Sequence, residues 1–454
     1  MAIISKSGRG VRLALLCLLA ALIPALNSCK QEPSDVSSLL ATVPSSSGMV
    51  VGINLKSVLE KAGCEVDGSS IKAGKEVKEW LGKLPADAKN AETLRLFLNG
   101  DSGIDPLGAV FFSDAYNVYA TAMLADTDKF ISFVEKQSGS KFADEDGSVK
   151  VCGNVAVLGA QMWLCTSATY IDAKAVKNYA TLSESQNFMS KDVSAPLAEM
   201  KTDVVGWADI NTIMKNNLPF GQMAQVNLIM GALYDNPASL AFSLDFKKGN
   251  MEAQTVVLND KGDKAKFLLP TKKIDTGLVK GLGGNADLVV AACVTKDLVK
   301  KVEKMLSSLG GGMFSNEIKA LGSLDGTVAV AQGIPQDGKE GTNGVAVTDG
   351  NPSLDLMNIL SRFGQTRKDG NNVFFSEGTM AGPLNVETIA GEMDGAWLGV
   401  AFGADKVGSR QPQGIKDVVL IFRPDGNGLT LNVKVNAKDD SKNILLQIVK
   451  DLAE

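Results

Sequence analysis

The sequence predicts an α+β protein of two related halves, each a mostly antiparallel sheet with packed helices. Three observations lead there. Short apolar runs recur at similar spacing in both parts of the chain. Each part closes in a hairpin of alternating apolar and polar residues. The order of strand-like and helix-like segments in the first part returns in the second, as an internal duplication would leave it.

Residues 1–28 precede the fold. Lys6, Arg9 and Arg12 stand before an apolar run from Leu13 to Leu26. A basic start and an apolar stretch of this length read as an export signal, too short for a spanning helix. The run ends in Leu26-Asn27-Ser28-Cys29, which has the form of a bacterial lipobox. Cys29 is therefore expected to be lipidated and to become the mature N-terminus. Acyl chains on Cys29 would make a membrane the first partner, with more than one chain needed for stable attachment. Position 30 is Lys, not the Asp associated with inner-membrane retention. The expected location is the outer membrane, with periplasmic and cell-surface orientations both open. Residues 29–40, with Pro33 and several serines, read as a flexible tether.

The first half is placed at 41–262. Val50 to Leu59 reads as a buried strand running into a helix. Ala109–Phe112 and Tyr119–Met123 are strands, and Asp126 caps a helix through Val134. Val149–Val151 and Met162–Leu164 are strands again. Val204 to Met214 reads as another strand-to-helix opening. A helical insertion containing Met223 to Leu233 follows it. Leu240, Phe242, Leu244 and Phe246 then alternate with Ala241, Ser243, Asp245 and Lys247 before a turn at Gly249-Asn250. A linker covers 263–279.

The second half, 280–454, repeats the order. Leu288–Cys293 runs into a helix at Asp297. Thr327–Val330 and Val345–Val347 are strands, Ser353–Leu360 a helix, Val373–Phe375 and Ala396–Leu398 strands. Trp163 and Trp397 occupy the same slot in this alignment. Val418–Phe422 turns at Asp425–Gly428 into Leu429–Val435. Ile444, Leu445, Ile448, Val449 and Leu452 give a final amphipathic helix.

The chain contains no histidine. That removes the usual general base near neutral pH and the commonest metal ligand, and with them Ser-His-Asp, Cys-His and His-ligated metal chemistry. No cofactor or metal is expected. With 46 Lys+Arg against 51 Asp+Glu, and no basic cluster, nucleic acid is not an expected partner. Loss of residues 1–28 removes three positive charges and no negative ones, so the mature chain is more acidic still.

What remains are fragments. Ser69-Ser-Ile-Lys72 and Ser138-Gly-Ser-Lys141 fit Ser-x-x-Lys without the partner motifs of penicillin-recognising enzymes. Asp101-Ser-Gly103 and Asp275-Thr-Gly277 resemble the paired carboxylates of two-lobed aspartic proteases. Asp101 follows its opening strand, whereas Asp275 precedes its own, so solvated turns are the better reading. Asp101 and Asp275 nonetheless form the only nameable pair for a carboxylate-dependent hydrolase. Cys152 and Cys165 lie on runs that form a hairpin around Gly159. A cross-strand disulfide between them is one expectation in an oxidising compartment, and buried free thiols are the other.

The lipobox, the tether, Val43-Pro44 and the segment Val50-Val-Gly-Ile-Asn-Leu-Lys-Ser-Val-Leu-Glu-Lys-Ala-Gly63 resemble a family of Bacteroidetes lipoproteins catalogued as a domain of unknown function. The resemblance implies an exported, lipid-anchored bacterial protein and carries no catalytic residues. Together these readings favour a non-catalytic binding or scaffolding role in the cell envelope, for an envelope protein or ligand, over hydrolysis.

Overall fold

The computed structural model describes residues 36–83, 95–114, 117–199, 202–217, 220–308, 315–334, 341–404 and 414–453. Its class is α+β, with antiparallel sheet, as the sequence predicts.

The first half opens with helix α1 (Val36–Leu40) and strand β1 (Met49–Ile53). Asn54 turns that strand into helix α2 (Leu55–Glu60), its side chain accepting the Ser57 amide at 3.0 Å. A ribbon, β2 (Glu65–Asp67) and β3 (Ser70–Lys72), and helix α3 (Lys75–Lys83) follow. Next come β4 (Ile104–Asp114), β5 (Asn117–Leu124) and α4 (Thr127–Ser138). Asp126 caps α4, and Gly139, at φ 73°, ends it in the left-handed turn that glycine adopts without strain. Four short strands follow: β6 (Ala143–Glu145), β7 (Val149–Cys152), β8 (Val155–Leu158) and β9 (Gln161–Cys165). Helices α5 (Ala173–Ala180) and α6 (Ser194–Glu199) lead to β10 (Val204–Asp209). Helices α7 (Ile210–Asn217) and α8 (Phe220–Leu233) separate it from the hairpin β11 (Pro237–Phe246) and β12 (Asn250–Asn259).

The second half runs α9 (Thr276–Lys280), β13 (Asn285–Ala286), β14 (Leu288–Val294), α10 (Lys296–Ser308) and α11 (Ser315–Ala320). It continues with β15 (Leu324–Gln332), β16 (Thr342–Thr348), α12 (Leu354–Leu360), β17 (Gln365–Asp369) and β18 (Asn372–Glu377). It ends with β19 (Leu384–Asn385), α13 (Val386–Glu392), β20 (Leu398–Gly403), β21 (Ile415–Asp425), β22 (Gly428–Ala437) and α14 (Ile444–Ala453).

Among the described residues, eighteen strands form one antiparallel sheet. Reading outward from the centre, the first half pairs in the order β12-β11-β10-β1-β4-β5-β9-β8. The second pairs β22-β21-β20-β14-β15-β16-β18-β17. The two orders match strand for strand. The agreement extends beyond the sheet. Helix α1 packs on α6 and β4 as α9 packs on α13 and β15. The bridge Pro44↔Asn187 is repeated by Asn285↔Asn385. The amide of Asn54 donates to Asp203 O at 2.9 Å, and that of Cys293 to Trp397 O at 2.9 Å. The duplication is therefore present in the fold.

The halves join where β12 pairs β22. Leu244 pairs Ala253 and Phe422 pairs Leu431, which makes Ala253 the counterpart of Leu431 and Thr255 the counterpart of Val433. Across the junction Ala253 pairs Val433 and Thr255 pairs Leu431. A pseudo-twofold axis thus passes between Gln254 and Asn432, which pair with each other and are each other's counterparts.

Helices cover both faces of the sheet. On one face, α1, α5 and α6 bury a core around Phe112, Trp163 and Trp207, and α9 and α13 bury a second around Val289, Ala329 and Val419. On the other, α2, α4 and α14 cover Ile53, Phe111 and Val204, and α12 covers Ala346 and Phe375.

Several expectations change. The tether does not reach residue 40: Val36, Leu39 and Leu40 are buried, because apolar residues at that spacing make one helical face. Since α1 and α9 correspond, the halves begin near residues 36 and 276, not 41 and 280. The 263–279 linker is packed, with Ala265, Ile274 and Val279 buried. Trp163 lies on β9, whose counterpart is β18, while Trp397 precedes β20. Its counterpart is Asp203. Strand β10 is likewise the partner of β20 in the duplication, not a third opening. The helical stretch expected from Met223 to Leu233 lies within α8.

Candidate functional site

Cys29 lies outside the described residues. Cys64, Cys152, Cys165 and Cys293 are buried and free. The Cys152–Cys165 disulfide is corrected by the strand order. β8 stands between β7 and β9, Cys152 shares a face with Val155 and Leu164, and Cys165 points to the other face. Burial pushes the Cys64 thiol up to about 12 and raises Cys293, so neither is a ready nucleophile.

Asp101 and Asp275 are not brought together. Asp101 is exposed in the turn before β4, with Lys129 at 3.6 Å. Asp275 caps α9 by accepting the Gly277 amide at 2.9 Å, while its own amide donates to Thr327 on β15 at 2.8 Å. Eight strands lie between β4 and β15, a path on the order of 40 Å along the sheet. Each aspartate serves its local turn. Among the described residues, no group of three or more Cys, Asp and Glu side chains is placed to hold a metal ion.

The central strands β11, β12, β22 and β21 carry two contrasting faces. One is a cleft of about 420 Å³ on the pseudo-twofold axis. Asp245, Glu252, Glu392, Arg423 and Lys434 line it, with Gln254 donating to Asn432 at 3.3 Å in its floor. Its charges are satisfied internally. Lys247 meets Glu252 at 2.5 Å, Lys434 meets Glu392 at 2.7 Å, and Lys61 meets Asp245 at 2.8 Å. Arg423 donates to the carbonyls of Glu392 at 2.6 Å and Asp394 at 3.2 Å.

Beside this cleft Asp203 is fully buried. It accepts from Ser57 Oγ at 2.6 Å, Lys61 Nζ at 2.7 Å and the Phe246 amide at 2.6 Å. Burial raises its carboxyl above the usual range, against the pull of Lys61. With every oxygen engaged, Asp203 pins α2 to the end of β11.

The opposite face of the same strands is an apolar trough. One row runs Phe242, Thr255, Leu431, Phe422, Leu398, Ala292 and Val328 across successive strands, apolar but for the threonine. The next runs Leu244, Ala253, Val433, Leu420, Val400, Val290 and Val330. All are half-buried. The Phe242 ring lies over Gly206, where a Cβ would stand 2.1 Å from its tip, so glycine is required there. At one end α14 covers the row through Phe246 and Val435. At the other, α7 and α8 cover Leu240 and Val257.

No sequence motif marked either face. A signal was nonetheless present. On β14, Leu288-Val-Val-Ala-Ala-Cys-Val294, exposure alternates between half-buried and buried while every residue is apolar, and β20 alternates likewise. An antiparallel strand with one face in water normally puts polar residues at its more exposed positions. In sequence alone, an unbroken apolar run reads equally as a strand buried on both faces.

No family model matches the chain, and no curated protein matches it. A solved structure, that of TP0453 in its crystal form I, is similar over 80% of this chain and 97% of its own, at 8% identity and a TM-score of 0.28. Likeness at that level carries no argument about this chain.

Proposed function

We propose that this protein is exported, lipidated at Cys29 and held to the envelope membrane, and that it acts by binding an acyl chain in the trough. One observation carries the binding part. Two adjacent rows of side chains, apolar but for Thr255, cross the central and second-half strands and stay half-open to solvent. An apolar surface of this extent is costly to leave wet and marks an interaction site. Its floor is paired sheet, so the backbone beneath offers an occupant no free hydrogen-bonding groups. A chain of methylenes needs none.

The cleft on the other face is the weaker candidate, because its charged groups are already engaged by partners in or beside it. The carboxylate-pair hydrolase has no support from the geometry of Asp101 and Asp275.

The test is titration of a fluorescent fatty-acid analogue into the chain from residue 30 onward, which holds every described element. Val400→Asp and Leu420→Asp, each assayed below its own melting transition, are expected to weaken binding at least about tenfold by placing a charge in an apolar floor. Equal affinity in both variants sinks the proposal. The anchor has a separate test: Cys29→Ala should move the full chain out of the membrane fraction, and unchanged fractionation refutes lipidation there.

A further inference from the structure

We infer that the face built by α8 and the lysine-bearing segment after β12 docks on an anionic lipid surface. Helix α8 carries no charged residue over Phe220–Leu233. Its Met223, Val226 and Met230 pack on Ile210, Met214 and Val257. That accounts for one side of the helix. On the other, Leu228 and Ile229 are 55% and 42% exposed, among the most exposed large apolar side chains described. An ordinary surface helix puts charge at such positions. This one presents neutral and aliphatic side chains.

The second observation is charge beside it. Residues 264–274 contain four lysines and no acidic residue. Lys264 is paired with Asp425, while Lys266, Lys272 and Lys273 are exposed. The backbone ties this segment to the helix. Leu268 N donates to Leu233 O at 2.8 Å, and Asp235 N to Lys266 O at 2.9 Å. Lys301 Nζ, from α10, donates to Leu268 O at 2.7 Å and adds another cation. Between helix and lysines lie Tyr234, Phe267 and Trp397, with ring centroids 5.2 and 5.6 Å apart. Exposed aliphatics, interfacial aromatics and flanking lysines are the parts of a helix that lies in a headgroup layer. No described helix is long and apolar enough to cross a membrane, and this contact requires none. A twofold contact between two copies through this face would set its lysines against one another, whereas an anionic lipid surface neutralises them.

The experiment is co-sedimentation of the chain from residue 30 onward with phosphatidylcholine vesicles, with and without phosphatidylglycerol. Binding is expected only with phosphatidylglycerol, and should weaken as salt rises. Leu228→Asp should weaken it about tenfold or more. Lys266→Glu and Lys273→Glu should each weaken it about fivefold or more. Fatty-acid-analogue binding should be unchanged in all three variants, which separates this inference from the trough. Vesicle binding indifferent to all three variants overturns it. So does binding to pure phosphatidylcholine that ignores salt. A wild-type dimer that Leu228→Asp makes monomeric, with no vesicle binding, also overturns it and makes the face an interface between copies.

Discussion

The two halves share a strand order but not a cover. In the first, Ile53, Ala109, Phe111 and Val204 are at most 8% exposed. Their counterparts by register, Ala292, Val328, Val330 and Leu398, are half-buried. The difference traces to the path of the chain after each final hairpin. After β22 the chain forms α14, which crosses the axis and sets Ile444 and Leu445 into the first half's core. After β12 the chain runs without a helix through Ala265 and Phe267 until α9. Duplicating a sheet doubled its apolar surface, and α12 covers only the outer strands of the second copy, with no counterpart of α14 over its inner ones among the described residues. An open binding face can arise by omission.

That comparison breaks most directly at the helix. Leu445→Ala should cost about 3 kcal/mol, as a buried leucine leaves a cavity. Val400→Ala, in the open half, should cost about 1 kcal/mol or less, since little area leaves water there on folding. Urea unfolding measures both. Equal costs would mean that the second half is covered after all.

A second contrast sits at one position. Asp203 and Trp397 are counterparts, each preceding the first residue of β10 or β20. Asp203 holds its half together through ions, and Trp397 through its indole N–H to Cys293 O at 3.1 Å. Asp203→Ala strands Lys61 beside Asp245 and should cost about 2–3 kcal/mol, below a fully buried pair because Lys61 is 27% exposed. Trp397→Phe loses one hydrogen bond and should cost about 1 kcal/mol. The reverse ranking in thermal melts would show that the ionic pin is ornamental.

How much of this was legible depends on whether a signal was local. The alternation from Leu240 to Lys247 announced β11, and Asp126 announced α4, because turn and cap chemistry act over a few residues. The duplication was legible as an order of segments. Its register was not, since short apolar strands look alike. Trp163 and Trp397 share a slot in the order of segments, although Trp163 lies on β9 and Trp397 precedes β20, which is not the counterpart of β9. The pairing of β12 with β22 joins residues far apart in sequence, with no local mark. The cleft exists only because of that pairing, and the trough reaches β11 through it, so neither was visible in any local run. Val36, Leu39 and Leu40 were readable as a helical face, but serines and Pro33 nearby drew them into the tether.

The smallest effect probes a buried acid beyond the cleft, farther along β21 and β22 from the axis. Asp417, on the cleft face of β21, is 2% exposed and accepts from Asn436 Nδ2 at 2.6 Å. Burial raises its carboxyl above 3.8, with Asn436 and Lys416 opposing. A raised acid makes the native state bind the extra proton. Stability from this group is therefore full below the unfolded value and is lost as pH rises through the raised folded value. Asp417→Asn removes the ionisation, and Asn436 can turn its amide oxygen to receive the new N–H. The variant should match or exceed the parent in melting temperature at pH 7. Its advantage should shrink as pH falls toward 3.8. An advantage that instead grows on acidification would mean that the native state favours the charged carboxylate, and that the surrounding ions attract Asp417 more strongly than burial penalises it.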